Sequence, residues 1–494
     1  MRRALLVAGL SLLGLGAADS DRAVDASIRH LRSAVQPQND GSHLLLLQSL
    51  RQLRDPTLRA FFLQLAQHSQ PRSRIHAILG LAEIDPAGHV DPWLISQLDT
   101  PDARYVTISS AVGLELIDTP QMKELLGWEE LQAKSRVLLL AQIMTRDEPV
   151  DRQELENIAG HPDLPVAGLA ACLLAQLGDE TALVTHKTRL ESTPEADRNA
   201  VLRQLFAAIS VYRLTAVLDW VAEITVQPGL PPELRTEGVS TLLTLDAARG
   251  VAAWTQALGP DPSHSTWVRY ALLLLTAGPA VPATAFDQLP DDDPLLVAMA
   301  YAGRARANGT DVAPALIELT DLGHRVTMAW AMRVAEDLDD EQAARLYSHL
   351  IDTVEAGNPR SREPRIEIAF LAASRLFDID AEAILTRLDR APDDGLTQES
   401  ILLGLLETTS PAAGTAARRV TRTGFSRADS LAMVLIAKHA GQLTPVELEQ
   451  LGVIAAGGGR ISEVLRAQAA WLYLRHAGRT EQALVDVFAP SESP

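Results

Sequence analysis

Between Ser73 and Thr100 the apolar positions follow two short helical rhythms. Ile75, Ile78, Leu79 and Ala82 fall at i, i+3, i+4 and i+7, which predicts a helix with one apolar face. Pro86, Gly88 and Pro92 break that rhythm. Val90, Trp93, Leu94 and Leu98 then form a second stripe, and Pro101 closes the unit. The pattern predicts two antiparallel helices joined by a tight turn. It returns in "KSRVLLLAQIMTRDEPVDRQELENIAGHPDLP", with the turn at Asp147–Pro149 and the second helix ending at Gly160. It returns again in "VTMAWAMRVAEDLDDEQAARLYSHLIDTV" and "DSLAMVLIAKHAGQLTPVELEQLGVIAAGGG". In the latter, Thr444, Pro445 and Glu447 have the order of an N-cap, a first-turn proline and a capping box. The last unit, "VLRAQAAWLYLRHAGRTEQALVDVF", has a shorter second helix, as expected of an end cap.

The pairs recur with a period of roughly thirty to thirty-six residues, about twelve to fourteen times. No alternating, hairpin-bounded strand pattern interrupts them. One helix pair cannot bury its own apolar face, whereas stacked pairs share a continuous core. The expected fold is therefore all-α, a solenoid of stacked antiparallel helix pairs. Small residues in the first helices, Ala77, Gly80 and Ala82 or Ala170, Ala171 and Ala175, are expected to let neighbouring helices approach closely.

The unit "SRIHAILGLAEIDPAGHVDPWLISQLDTPD" opens its first helix with Arg, has an Ala-Leu core and an Asp in the turn, and closes a Leu-rich second helix on Asp. In this it resembles the HEAT-repeat family, especially the short bacterial, bilin-lyase-type form. The resemblance runs, in degenerate form, over nearly all of Ser42–Ala489. The fixed Trp, Leu-Gly, Tyr, Ala, Phe and Pro offsets of tetratricopeptide repeats do not recur. The resemblance implies an elongated, curved scaffold that holds proteins on a concave face. It implies no activity, since helical-repeat folds host many functions.

At the N-terminus, Arg2 and Arg3 precede an apolar run from Ala4 to Leu15, with Gly16 and Ala18 suited to cleavage after Ala18. The expectation is a signal peptide over 1–18, export to the periplasm, envelope or exterior, and no transmembrane span after cleavage. Residues 19–41 read as a lead-in helix and polar linker, 42–489 as the solenoid, and 490–494 as a disordered tail. Pro, Gly and Asp concentrate in Gly259–Thr266 and Ala277–Pro294, which predicts long loops or a hinge near 259–294.

Composition sharpens this picture. Of 494 residues, 47% are hydrophobic, 22% charged and 4% aromatic, a globular composition rich in helix-forming Leu and Ala. The net charge is −19, and such a surface repels phosphate backbones, so no nucleic-acid partner is expected. Four lysines accompany many arginines, a bias that suits bidentate carboxylate or phosphate recognition but is read first as a coding bias of the source genome. With the single cysteine Cys172 no internal disulfide can form, and its apolar helical setting predicts a buried, unreactive thiol.

Candidate chemistry is sparse. No two of the twelve histidines lie three or four apart, so a helical zinc pair is absent. Asp291, Asp292 and Asp293 before Pro294 suit a cation site or a helix start, and the helix start is favoured. Glu336–Gln342 reads as an intra-repeat turn, and Ala455–Ser462 as a loop whose glycines lack the lysine of a phosphate loop. Asn308–Thr310 matches a glycosylation sequon. The seven tryptophans are read mainly as core.

No catalytic, cofactor-binding or metal-ligating residue is assigned, and no cofactor is expected. The expected function is an exported, HEAT-like scaffold, monomeric or weakly associating. It would bind protein partners through a concave surface of second helices, with exposed Arg and acidic side chains setting specificity. The alternatives are an exported helical enzyme with a site assembled across repeats, such as a polysaccharide-acting α/α toroid, or a structural element of a cell-envelope assembly.

Overall fold

The structure, a computed structural model, describes residues 21–67, 70–257, 262–355, 362–392, 395–420, 426–458 and 461–489. The expected signal peptide and the 490–494 tail lie outside these residues. All described elements are helices, and no strand occurs among the described residues. Successive helices pack as neighbours, which makes the chain an all-α solenoid.

Local chemistry starts the helices where the sequence predicts. Asp91, Thr100, Asp293 and Thr444 each cap a helix that opens on proline. The capping box is complete: Thr444 Oγ1 accepts from the Glu447 amide, and the Glu447 carboxylate accepts from the Thr444 amide at 2.7 Å. Gly178 and Gly478, at φ 87° and 67°, turn the chain just after two first helices, where a side chain would be strained.

The first helices depart from the amphipathic expectation. In Pro71–Ile84 every residue from Ala77 to Ala82 is buried, and in Leu164–Gln176 every residue from Val166 to Ala175. Arg427–His439 is likewise buried from Ala428 to Ala437. Such helices are covered on all sides, so no exposed stripe remains to give them a 3.6-residue pattern. Gly80 shows why small residues recur there: a Cβ at that position would lie 2.8 Å from the Phe62 ring. Second helices such as Arg152–Ala159 and Ala381–Arg390 bury one face and expose the other. The second stripe of the opening unit is corrected. Val90, Ile95 and Leu98 are buried, whereas Trp93 is 62% exposed, because the helix spans only Pro92–Ser96.

The chain forms two compact units, Met1–Asp118 with Leu350–Pro494, and Thr119–His349. The loop-rich stretch near 259–294 lies inside the second unit, and its residues 258–261 are outside the described set. In the first unit the helices Arg362–Ile379, Leu396–Glu407, Arg427–His439 and Glu463–His476 stack in order. Glu463–His476 then packs on Ser42–Gln52, which continues to Pro71–Ile84 and Pro101–Gly113. The last repeat is therefore no free end cap. Ser49 Oγ donates to the Val464 carbonyl at 2.6 Å, Gln468 donates to the Ser49 carbonyl at 2.9 Å, and Trp471 Nε1 donates to Thr57 Oγ1 at 3.1 Å. Phe61 packs against both Trp471 and Phe488. The expected lead-in helix forms over 21–35, with Arg32 donating to the Asp486 carbonyl.

In the second unit the helices Ala133–Thr145, Leu164–Gln176, Glu195–Val211, Pro232–Leu245 and His264–Thr276 stack in order. One buried cluster of this unit includes Val137, Leu173, Phe206, Trp220, Leu242 and the fully buried Cys172.

Candidate functional site

Most charged side chains of the array serve the array itself. Ion pairs join neighbouring repeats at separations close to one repeat: Arg51–Glu83, Arg249–Asp219, Arg306–Asp337, Arg345–Asp311 and Arg387–Asp352 lie 30 to 35 residues apart. Arg51 holds Glu83 with two bonds of 2.8 and 2.6 Å, and Arg387 holds Asp352 with bonds of 2.9 and 3.0 Å. Other cations cover the last carbonyls of a preceding helix. Arg189 reaches the Ala159 and His161 carbonyls, Arg306 that of Leu275, and Lys438 those of Leu406 and Thr408. Bidentate carboxylate recognition by Arg51 and Arg387 is thus directed at the chain's own acids.

One cavity stands apart from this self-satisfied surface. It lies in the second unit, has a volume of about 280 Å³, and is lined by three consecutive helices and the loop after them. Thr181–Glu191 contributes Lys187 and Glu191. Glu195–Val211 contributes Glu195, Arg198 and Asn199, and Leu218–Thr225 contributes Trp220 and Glu223. The spacing is helical in each case: i and i+4, then i, i+3 and i+4, then i and i+3, so each helix turns one strip toward the cavity. The loop wall is stiff, because Pro228 and Gly229 occupy the middle of a turn closed by the Leu230 amide on the Gln227 carbonyl, with Gly229 at φ 88°.

The charges in this cavity are unspent. The side chains of Lys187, Glu191, Glu195, Arg198 and Glu223 make no hydrogen bond or ion pair with the described residues. Lys187 Nζ stands 5.8 Å above the Trp220 ring. Trp220 is only 5% exposed, whereas the three glutamates are exposed at the rim. Next to Lys187 and one turn before Leu190, the helix carries His186, which is 2% exposed. Neither of its ring nitrogens has a hydrogen-bond partner among the described residues. Burial first, and the nearby Arg189 charge second, lower its pKa to about 4.

The motifs singled out in sequence fall elsewhere. Asp293 caps the helix Pro294–Ala307 by accepting from the Leu295 and Leu296 amides. Asp339 accepts from the Gln342 amide at the start of Asp340–Asp352, so Glu336–Asp339 forms the turn between two helices and Asp340–Gln342 opens the second of them. Ala455–Ser462 links Pro445–Ala455 to Glu463–His476, with Gly459 and Arg460 outside the described residues. The Asn308–Thr310 sequon is exposed after a helix end. Burial pushes the Cys172 thiol up to about 12, so its thiolate is disfavoured. Trp220, Trp254, Trp330 and Trp471 are buried, Trp128 and Trp267 are partly buried, and Trp93 is exposed.

No described group of three or more His, Cys, Asp or Glu is placed to hold a metal ion. No described helix is long and apolar enough to cross a membrane. Sequence reasoning missed the cavity because its lining comes from three helices and a loop. The available signal was Lys187–Glu191 and Glu195–Arg198, two mixed-charge pairs that flank one short turn. Comparison with protein-family models, curated proteins and solved structures gives no match.

Proposed function

We propose that the chain is an exported HEAT-like scaffold that binds protein partners through the exposed faces of its second helices. The observation that carries this reading is the division of labour between helices. The stacking helices Pro71–Ile84, Leu164–Gln176 and Arg427–His439 are buried on all sides over their middles, which leaves second helices, loops and the exposed strips of helices such as Glu195–Val211 to meet a partner. Many arginines are committed to pairs between repeats. Partner selection then falls to side chains such as the charged ones of the 280 Å³ cavity, which make no internal hydrogen bond or ion pair among the described residues.

The test uses the purified chain as bait in the exported fraction of the source cells, with mild cross-linking and mass spectrometry. One stoichiometric partner, linked to residues on second helices, supports the scaffold. Absence of a partner across several salt concentrations overturns it.

A second reading has one specific observation in its favour. Glu191, Glu195 and Glu223 border one cavity beside Trp220, the kind of grouping a polysaccharide-acting enzyme uses. The exposure of all three argues against it, because such chemistry needs its carboxylates in a cleft shielded from water. Hydrolysis of a soluble polysaccharide that disappears in Glu223→Gln would favour the enzyme.

A further inference from the structure

The acidic character of the chain is unevenly shared. Residues 119–349 hold 32 of the 63 acidic residues and 18 of the 44 basic ones, a net charge of −14, against −5 for the remainder. The cavity lies within that acidic unit. Its lining combines three kinds of group. Glu191, Glu195 and Glu223 form an unpaired anionic rim. Trp220, Leu202 and Ile224 give an apolar floor. Lys187, Arg198, Asn199 and Gln227 supply hydrogen-bond donors.

We propose that this cavity is a subsite for an extended peptide segment carrying an arginine or lysine, a reading that rests on the protein-binding scaffold proposed above. The glutamates receive the cationic head group, and the apolar floor receives the methylene stem. The donors of Lys187, Arg198, Asn199 and Gln227 meet peptide carbonyl oxygens, which accept hydrogen bonds and carry no charge to clash with the rim. A volume of about 280 Å³ suits one long side chain with its flanking backbone, not a folded surface. A purely anionic ligand would satisfy the two cations but would face three carboxylates at the mouth, inside a unit of net charge −14. A cation is drawn to the cavity by the same field.

The test uses the full chain and three labelled ten-residue peptides of one sequence. Their central residue is arginine, its neutral isostere citrulline, or glutamate. Fluorescence anisotropy is followed at low and raised ionic strength. The arginine peptide is expected to bind at least about tenfold more tightly than the other two, and less tightly as salt rises. The combined variant Glu191→Gln, Glu195→Gln, Glu223→Gln is expected to lose that preference. These side chains are exposed and unpaired, so the variant should keep the wild-type unfolding midpoint, and circular dichroism verifies this. Equal binding of arginine and citrulline peptides, or a preference that survives in the folded triple variant, overturns the subsite. If cross-linking captures a protein partner while no peptide preference exists, the subsite fails and the scaffold stands. If the peptide preference exists without any captured partner, the scaffold fails and the cavity stands as a site for a cationic peptide.

Discussion

His186 is packed against Gly168, where an added Cβ would lie 2.6 Å from its Nε2, and it is held neutral in a site that gives its nitrogens nothing to bond. His76 and His439 are lowered to about 4 as well, both by burial first, with Arg51 and His43 adding to the first and Lys438 and Arg475 to the second. A histidine whose folded pKa lies below its unfolded value is protonated first in the unfolded chain as pH falls. Its contribution is therefore complete above about pH 6.5 and is lost progressively down to about pH 4. Urea midpoints measured across that window should fall with pH, and His186→Leu should flatten part of the slope; a profile unchanged by the substitution would contradict its burial as the neutral form. Tyr270 makes the complementary case. It is fully buried and stacked on Trp254 at 4.3 Å, yet its hydroxyl has no partner among the described residues. Removing a buried, unsatisfied hydroxyl relieves its desolvation cost, so Tyr270→Phe should raise stability by about 1 kcal/mol, read as a higher urea midpoint.

At the scale of the helices, the array depends on close approach at a few points. Gly404 of Leu396–Glu407 faces the Phe370 carbonyl, and a Cβ there would also lie 2.8 Å from the Ser374 amide nitrogen. Both obstacles belong to the backbone of Arg362–Ile379, which cannot yield as a side-chain tip can. Gly404→Ala should therefore cost about 3 kcal/mol. Gly113 closes Pro101–Gly113 with nothing near its Cβ position, so Gly113→Ala should be neutral or stabilising by up to about 1 kcal/mol. Thermal melts of the two variants give the contrast directly. Equal effects would mean that helix propensity outweighs spacing in this stack.

Within the first unit Ser42–Gln52 and Glu463–His476 form one packed surface, and its stability is coupled across more than four hundred residues of sequence. Arg475 pairs with Asp55 at 2.7 Å and also reaches the Ala437 carbonyl. Asp55 is 5% exposed, so removing its partner strands a buried charge. Arg475→Met should cost about 3 kcal/mol, and the double variant with Asp55→Ala should cost less than the sum of the two single changes. Hydrogen exchange in Arg475→Met should quicken together in Ser42–Gln52 and Glu463–His476. Faster exchange in Glu463–His476 alone would show that the ends do not stabilise each other.

The helical class, the pairing of helices and many of their boundaries follow from the sequence by itself, because caps, prolines and apolar spacing act over a few residues. Thr444, Asp293 and Gly178 can be read without any knowledge of their neighbours. Tertiary structure decided the rest. It covered several first helices on every side, turned Trp93 outward, and stacked the last repeat on the first. It also spent much of the arginine complement on contacts between repeats. The cavity beside Trp220 belongs to this second group: its five charges are ordinary surface residues in sequence, and only the packing of three helices against a Pro-Gly turn brings them to one opening. Local rules set each element, while burial and charge pairing are sums over neighbours that a one-dimensional pattern does not contain.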